Sequence, residues 1–339
     1  MLRSTCLLCD APLEALLDGR QKHPEAEDCE VRLTDAWGVP IIVPPDEVVH
    51  EPPEPIEFKT YPFVDEVLAE IFAKADLPRL GGQSTGRGWS SISTFQRCPH
   101  LWKQKYLREK KPWVLIESPS LAIGTLIHVF LAVHYSRMAD PEYFLTPEVI
   151  YDACKLYANP EFVEEAWRVF TAYRMYYSLE AIQPLAIEYD LKDPRTGESC
   201  RFDLIAFFSE NVAGRAAGTY VIEHKSASRF DSDTLEGWVN DGEVIGQVAL
   251  WKRLGLDLRF GKLQGVIVNL LGKHKVPQFH RTLVAPESWQ IDGHLDDLRR
   301  WEGLINLSKS TNSFPRSRGG CINRYGRCGW FDQCATGEE

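Results

Sequence analysis

The chain has no long hydrophobic run. Nowhere do apolar residues approach the roughly eighteen in succession that a bilayer span needs. The amino-terminal stretch Met1-Leu2-Arg3-Ser4-Thr5-Cys6 lacks the basic-then-apolar pattern of a secretory leader. Both absences set the expectation of a cytoplasmic protein. A surplus of positive charge is also missing. The 38 Lys and Arg face 48 Asp and Glu, for a formal net charge of -10. That excludes a nonspecific nucleic-acid coat, whose whole surface would be basic, and leaves open an enzyme that meets nucleic acid through a local basic groove. There is no internal repeat and no phosphate-binding glycine loop, so repeat arrays and P-loop nucleotide hydrolases drop out.

Cysteine is not scarce. Nine cysteines are many for a compartment where disulfides rarely persist, and they cluster: Cys6, Cys9 and Cys29 near the start, Cys321, Cys328 and Cys334 near the end. Clustering of this kind points to metal ligands. The spacing Cys6-x2-Cys9-x13-His23-x5-Cys29 is that of a small zinc module, over residues 1–35, whose core is too small to fold without the ion. Cys98 together with Cys321, Cys328 and Cys334 gives four thiolates, the ligand count of a [4Fe-4S] cluster, with zinc as the alternative. Cys154 and Cys200 read as ordinary buried thiols.

The stretch richest in chemistry is Tyr220-Val221-Ile222-Glu223-His224-Lys225. Alternate residues of a strand share a face, so Glu223 and Lys225 point the same way. Asp203 lies upstream in a second apolar run, Arg201 to Phe208. If the two strands pair, two carboxylates and an ammonium converge. Carboxylates hold hard divalent cations, and such a set is what metal-assisted phosphodiester hydrolysis requires. A third acid, Glu188, sits on a neighbouring strand and reads equally as an exposed strand residue.

Between these motifs the patterning predicts a Pro/Glu-rich linker with a short helix over 36–84, including a helix over 64–75, and a loop over 81–90. A helix N-capped by Ser93 carries Cys98 and then the basic run Lys103, Lys105, Arg108, Lys110 and Lys111, a candidate DNA-binding patch. Other basic runs are Lys273-His274-Lys275 and Arg316-Ser317-Arg318. Further helices are expected over 121–135, 147–158, 160–180, 243–254 and 289–307, and strands over 185–191, 199–208, 265–271 and the run ending at Lys225. The helix over 121–135 places Gly124 and His128 on one face; His134 faces elsewhere. The fold expected is α/β, a mixed β-sheet flanked by helices.

The order of these pieces resembles the PD-(D/E)XK nuclease superfamily, in particular RecB-like exonucleases and their phage-type relatives with a carboxy-terminal iron–sulfur cysteine box. The resemblance rests on Ser91-Ile92-Ser93-Thr94-Phe95-Gln96-Arg97-Cys98-Pro99, Gly124-Thr125-Leu126-Ile127-His128, Arg201-Phe202-Asp203-Leu204-Ile205, Glu223-His224-Lys225, Gln247-Val248-Ala249-Leu250-Trp251 and the tail Cys321 to Cys334. It covers residues 85–335, with a helical insertion about 140–182. It implies a restriction-endonuclease-like core and a Mg2+- or Mn2+-dependent deoxyribonuclease, an exonuclease more than an endonuclease. His128, Asp203 and Glu223 would be metal ligands, with Lys225 beside the attacking water and Gln247 lining the site. The tail departs from the pattern, since six residues separate Cys321 from Cys328 where relatives often have two. The partners it implies are DNA, single-stranded or at duplex ends, and proteins of recombination, repair or phage replication. The alternative is a non-catalytic DNA-binding or assembly module that keeps the nuclease fold.

Overall fold

Strands of seven to eleven residues, the central ones apolar, build the centre of the molecule. They form five strands: β1 (Ile182–Lys192), β2 (Ser199–Phe208), β3 (Gly218–Ala227), β4 (Leu263–Gly272) and β5 (Gln278–Val284). Their order in space is the order in sequence. All neighbours are antiparallel except β3 and β4, which run parallel. A parallel pair needs a crossover, and a helix, Gly242–Leu254, lies in that connection. The sheet is therefore mixed and flanked by helices, as the sequence predicts. Strand β5 is absent from that reading. It is an edge strand with alternating exposure and polar residues, so no apolar run announces it.

This computed structural model describes residues 62–77, 88–107, 118–210, 216–227, 230–231, 236–323 and 326–337. Four two-residue strands are also described, Glu14–Ala15 paired with Gln21–Lys22 and Leu33–Thr34 with Pro40–Ile41. The chain divides into two compact units, Met1–Lys59 and Thr60–Glu339. The predicted zinc ligands Cys6, Cys9, His23 and Cys29 lie outside the described residues, as do Arg108, Lys110 and Lys111 of the basic run.

In the second unit the helices are α1 (Val64–Lys74), α2 (Trp89–Arg97), α3 (Pro99–Tyr106), α4 (Pro119–Ala139), α5 (Pro147–Tyr157), α6 (Pro160–Tyr176), α7 (Gly242–Leu254), α8 (Ser288–Ser310) and the short α9 (Phe331–Thr336). A single helical turn, Asp257–Phe260, precedes β4. One sheet face, with Leu204, Ala206, Ile222 and Ile267, packs on α1, α4, α5 and α6. The other, with Ile205, Val221, Val266 and Val268, packs on α7 and α8. Proline opens α3, α4, α5 and α6 at the first turn, where its missing N–H has no intrahelical partner to lose.

Two expectations about the segment around Cys98 are corrected. Ser93 is not the helix cap: α2 begins at Trp89, its N-cap is Gly88, and Ser93 donates from its hydroxyl to the Ser90 carbonyl at 3.3 Å. A Cβ at position 88 would lie 2.7 Å from the Ser199 carbonyl oxygen, so only glycine lets the chain enter α2 so close to β2. Nor does one helix run through Cys98. Pro99 disfavours helical backbone at the residue before it. Cys98 is extended (φ -165, ψ 111), ending α2 and capping α3, with its Sγ accepting from Leu101 N at 3.5 Å.

Helix α4 also modifies an expectation. By length and composition alone its 21 residues could cross a bilayer, with a mean hydropathy of 1.3 over an eighteen-residue window. In the fold it is a core helix, with Leu126, Ile127, Val129, Phe130, Leu131 and Val133 buried. His134 belongs to this packed layer, its ring 5.9 Å from that of Phe170. Burial, aided by the charge of Arg174, pushes the His134 ring down to about 4. The unfolded chain therefore binds a proton at this position first. Stability from the neutral ring is complete above the unfolded value and drains away as pH falls from about 6.5 to about 4. A shift of this size corresponds to at most about 3 kcal/mol, less for the ring's partial exposure. His134→Gln is expected to flatten urea-determined stability over that window; an unchanged slope contradicts it.

Candidate functional site

The ladder between β2 and β3 has its last pair at Leu204↔Ile222. Beyond it each strand keeps its outer partner: β2 pairs with β1 as far as Ser199, and β3 with β4 as far as Ala227. The two central strands part, and Asp203 and Glu223 are the first residues past the parting on either side. Asp203 fills the fork, its Oδ2 accepting from the His224 backbone N–H at 2.8 Å.

Three elements converge on this fork. From α4, His128 brings Nδ1 to 3.5 Å from Asp203 Oδ1. Gly124, one turn earlier, makes that approach possible, because a Cβ there would already lie 3.1 Å from Ser226 Oγ on β3. From β1, Glu188 arrives opposite Asp203, between the pairs Ile187↔Leu204 and Tyr189↔Phe202. Ligand atoms of His128, Glu188 and Asp203 all lie within 4.8 Å of one another. From α7, Gln247 donates from Nε2 to Glu223 Oε2 at 2.6 Å. Lys225 Nζ sits between Glu223 Oε1 at 2.7 Å and Glu243 Oε2 at 2.8 Å.

The side chains line a groove of about 600 Å³ bounded by α2, α3, α4, α7, α8 and the open end of the fork. Its charged lining is mostly acidic, with Lys105, Arg201, Lys225 and the His128 ring as the cations among the described residues. The electrostatics follow from crowding carboxylates in a half-dry place. Burial opposes the charged form of His128, but Asp203, Glu188 and Glu223 outweigh it and push the ring up to about 9. Burial likewise opposes charge on Lys225, yet Glu223, Glu243 and Asp203 hold the ammonium well above its ordinary range. Within the central pair, burial would raise both acids. The charges of His128 and Lys225 pull Asp203 below the usual carboxylate range, while the Asp203 charge adds to burial and raises Glu223. A negative, partly desolvated cleft with one imidazole and hard oxygens is a donor set that suits a hard divalent cation.

His224 takes no part in the groove wall. Strand alternation turns its ring to the opposite face, where Nδ1 lies 2.8 Å from Asn269 Nδ2 and burial pushes the ring down to about 3. Asn269 Oδ1 accepts from Arg281 Nε at 3.2 Å, and Arg281 pairs with Glu180. This buried polar chain fixes the strand whose backbone N–H holds Asp203.

His128, Asp203, Glu223, Lys225 and Gln247 are thus brought to one groove. Glu188, for which the sequence leaves an exposed strand position equally open, is half-buried and lines the groove, its side chain 7% exposed. Glu243 was missed altogether; as an acid in the first turn of α7, after the Asp241 cap, it looks like a dipole-matching residue. Cys200, expected to be an ordinary buried thiol, also lines the groove. Of the basic residues, Lys105 lines the groove, Lys103 Nζ lies 5.7 Å over the Phe314 ring, and Lys273 Nζ donates to the Ser120 carbonyl at the groove edge at 3.3 Å.

A second cavity of about 410 Å³ is lined by Cys98, Cys321, Cys328 and Cys334, with Arg316, Trp330 and Phe331 around them. Cys98 Sγ accepts a second backbone N–H, from Ser317 at 3.4 Å. The Cys328 N–H donates to the Cys321 carbonyl at 2.8 Å, folding the tail into a knot. Burial raises the Cys334 thiol, and the other three cysteines add to that effect. Four cysteines lining one cavity, with backbone donors aimed at one sulfur, are donors of the kind that hold a thiolate-bound metal or cluster, and no three of the sulfurs lie within 4.8 Å of one another.

No family model matches the chain, and no curated protein matches it. Among solved structures, it is similar to a protein described as a proposed exonuclease from Eubacterium rectale, at 11% identity and a TM-score of 0.43, over 76% of this chain and 94% of that one. A likeness at this level leaves the functional reading to the residues themselves.

Proposed function

We propose that the chain is a divalent-metal-dependent deoxyribonuclease, acting from DNA ends. The observation that carries this reading is the fork between β2 and β3, where Asp203, Glu223 and Lys225 meet His128 and Gln247. Mg2+ or Mn2+, held at the His128 and Asp203 end, would supply positive charge at phosphorus and a more acidic water. The chain's own groups do the rest. Lys225, kept protonated between Glu223 and Glu243, offers a fixed positive charge to the charge that develops on the phosphate oxygens. Gln247 locks the Glu223 carboxylate in one orientation. Lys105 and the basic run of α3 seat the sugar–phosphate backbone along the groove.

The cysteine cavity is read as a [4Fe-4S] site that joins the segment between α2 and α3 to the tail, with zinc as the alternative. Thiolate ligands of this kind belong in a reducing compartment, in keeping with a cytoplasmic protein. Protein purified without air is expected to be brown, to absorb in the visible and to contain iron and sulfide in equal amounts. Colourless protein that contains zinc instead contradicts the cluster.

The functional test is incubation with end-labelled linear DNA and with covalently closed circles, in Mn2+, Mg2+ or chelator. Loss of linear DNA that needs the metal and spares the circles supports the reading. DNA retained on the protein but never cut, in any metal, contradicts it and identifies a binding module.

A further inference from the structure

Glu188 and Glu223 both stand beside Asp203, and the geometry separates them. Both oxygens of Glu223 are already engaged: Oε1 by the Lys225 ammonium at 2.7 Å and Oε2 by the Gln247 amide at 2.6 Å. Its carboxylate faces α7 and the ammonium. On the other side of Asp203, the ligand atoms of His128, Glu188 and Asp203 lie within 4.8 Å of one another, one nitrogen and two carboxylates from three different elements. That is close enough for one ion to draw all three in.

The backbone at Glu188 is a second, independent observation. Glu188 lies within β1, yet its φ is +47°, in the left-handed region that a residue with a side chain rarely adopts. Such a backbone persists only where the surroundings over-determine it, and residues of this kind cluster at active sites and ligand clamps. Here the surroundings are Asp203 directly across the ladder and the Arg201 guanidinium at 3.7 Å. The strained conformation sets an acid beside Asp203 and His128 in the middle of an otherwise extended strand.

Building on the proposed function, we propose that Glu188, with His128 and Asp203, is the carboxylate that holds the divalent cation, and that Glu223 serves with Lys225 and Gln247 on the reacting water and phosphate. The carboxylate pair at the fork then divides its work. Asp203 binds the ion, and Glu223 orients groups beside it.

Mn2+ binding to the full chain, measured by calorimetry and by the electron spin resonance signal of free Mn2+, separates the two roles without reference to turnover. Glu188→Gln and Asp203→Asn are expected to weaken Mn2+ by at least about tenfold. Glu223→Gln, which keeps the shape of the side chain, is expected to stay within about threefold of the parent while DNA cleavage falls by at least about a hundredfold. Because position 188 is strained, Glu188→Asn is made as well; asparagine tolerates the left-handed backbone, and a melt matching the parent shows that lost affinity is not lost fold. Loss of affinity in Glu223→Gln equal to or greater than that in the position-188 variants overturns the division of roles and leaves the proposed function standing. A parent chain that binds no Mn2+ overturns both.

Discussion

Asp203→Asn and Lys225→Ala are each expected to lower metal-dependent degradation of linear DNA by at least about a hundredfold, with the fold intact. The two losses have different causes. Asp203 bonds the His224 N–H and faces the His128 ring. Asparagine can keep the first contact but not the charge, so cation affinity should fall with activity. Lys225 touches Glu223 and Glu243 only through its ammonium. Its removal takes away the positive charge that the phosphate would meet and leaves the cation's own ligands in place. Mn2+ affinity should therefore survive in Lys225→Ala while turnover does not. The measurement is the cleavage rate at saturating Mn2+ for both variants, with circular dichroism as the control. Activity near the parent level in either variant would reject the assignment.

Cys98→Ala is the second change with a large expected effect. Cys98 ends α2, caps α3 and lies in the cavity with Cys321, Cys328 and Cys334. The segments it joins are more than two hundred residues apart in sequence, so the link closes a very long loop. Without this thiol, the tail loses a contact at the start of α3, and the contacts of Arg97 with Gly320 and of Ser317 with the Cys98 sulfur loosen together. Melting is expected to drop by roughly 6–12 °C, what about 3 kcal/mol gives in a domain of this size. With the proposed [4Fe-4S] cluster in the cavity, bound iron and visible absorbance should fall with it. Cys154→Ala is the control: that thiol is fully buried in the α-helical layer away from the cavity, so it should cost stability and leave iron content unchanged. A Cys98→Ala protein with parental iron and melting temperature would contradict the staple.

How far the sequence announced these features depends on how local each one is. Strands β2 and β3 were legible because apolar runs bounded by turn residues fix both strand and face, and parity alone puts Glu223 and Lys225 together. Helix α4 was legible for the same reason, and with it the one-turn spacing of Gly124 and His128. Glu188 was visible only as an acid on a neighbouring strand. Its place opposite Asp203 depends on the β1–β2 register and on a positive φ that no pattern of residue types reveals. Glu243 was invisible because its partner, Lys225, meets it only once α7 crosses from β3 to β4. The break at Cys98 was within reach, since the Cys98-Pro99 pair disfavours a continuous helix. Edge strand β5 was not, because half of it faces solvent.

The most direct measurement of the central claim is the anomalous scattering of Mn2+ in crystals of the chain. A peak within about 2.3 Å of Asp203 Oδ and a His128 ring nitrogen, at the open end of the β2–β3 fork, is the predicted result. A map with no peak at saturating Mn2+, or with its peak away from both side chains, would contradict the account.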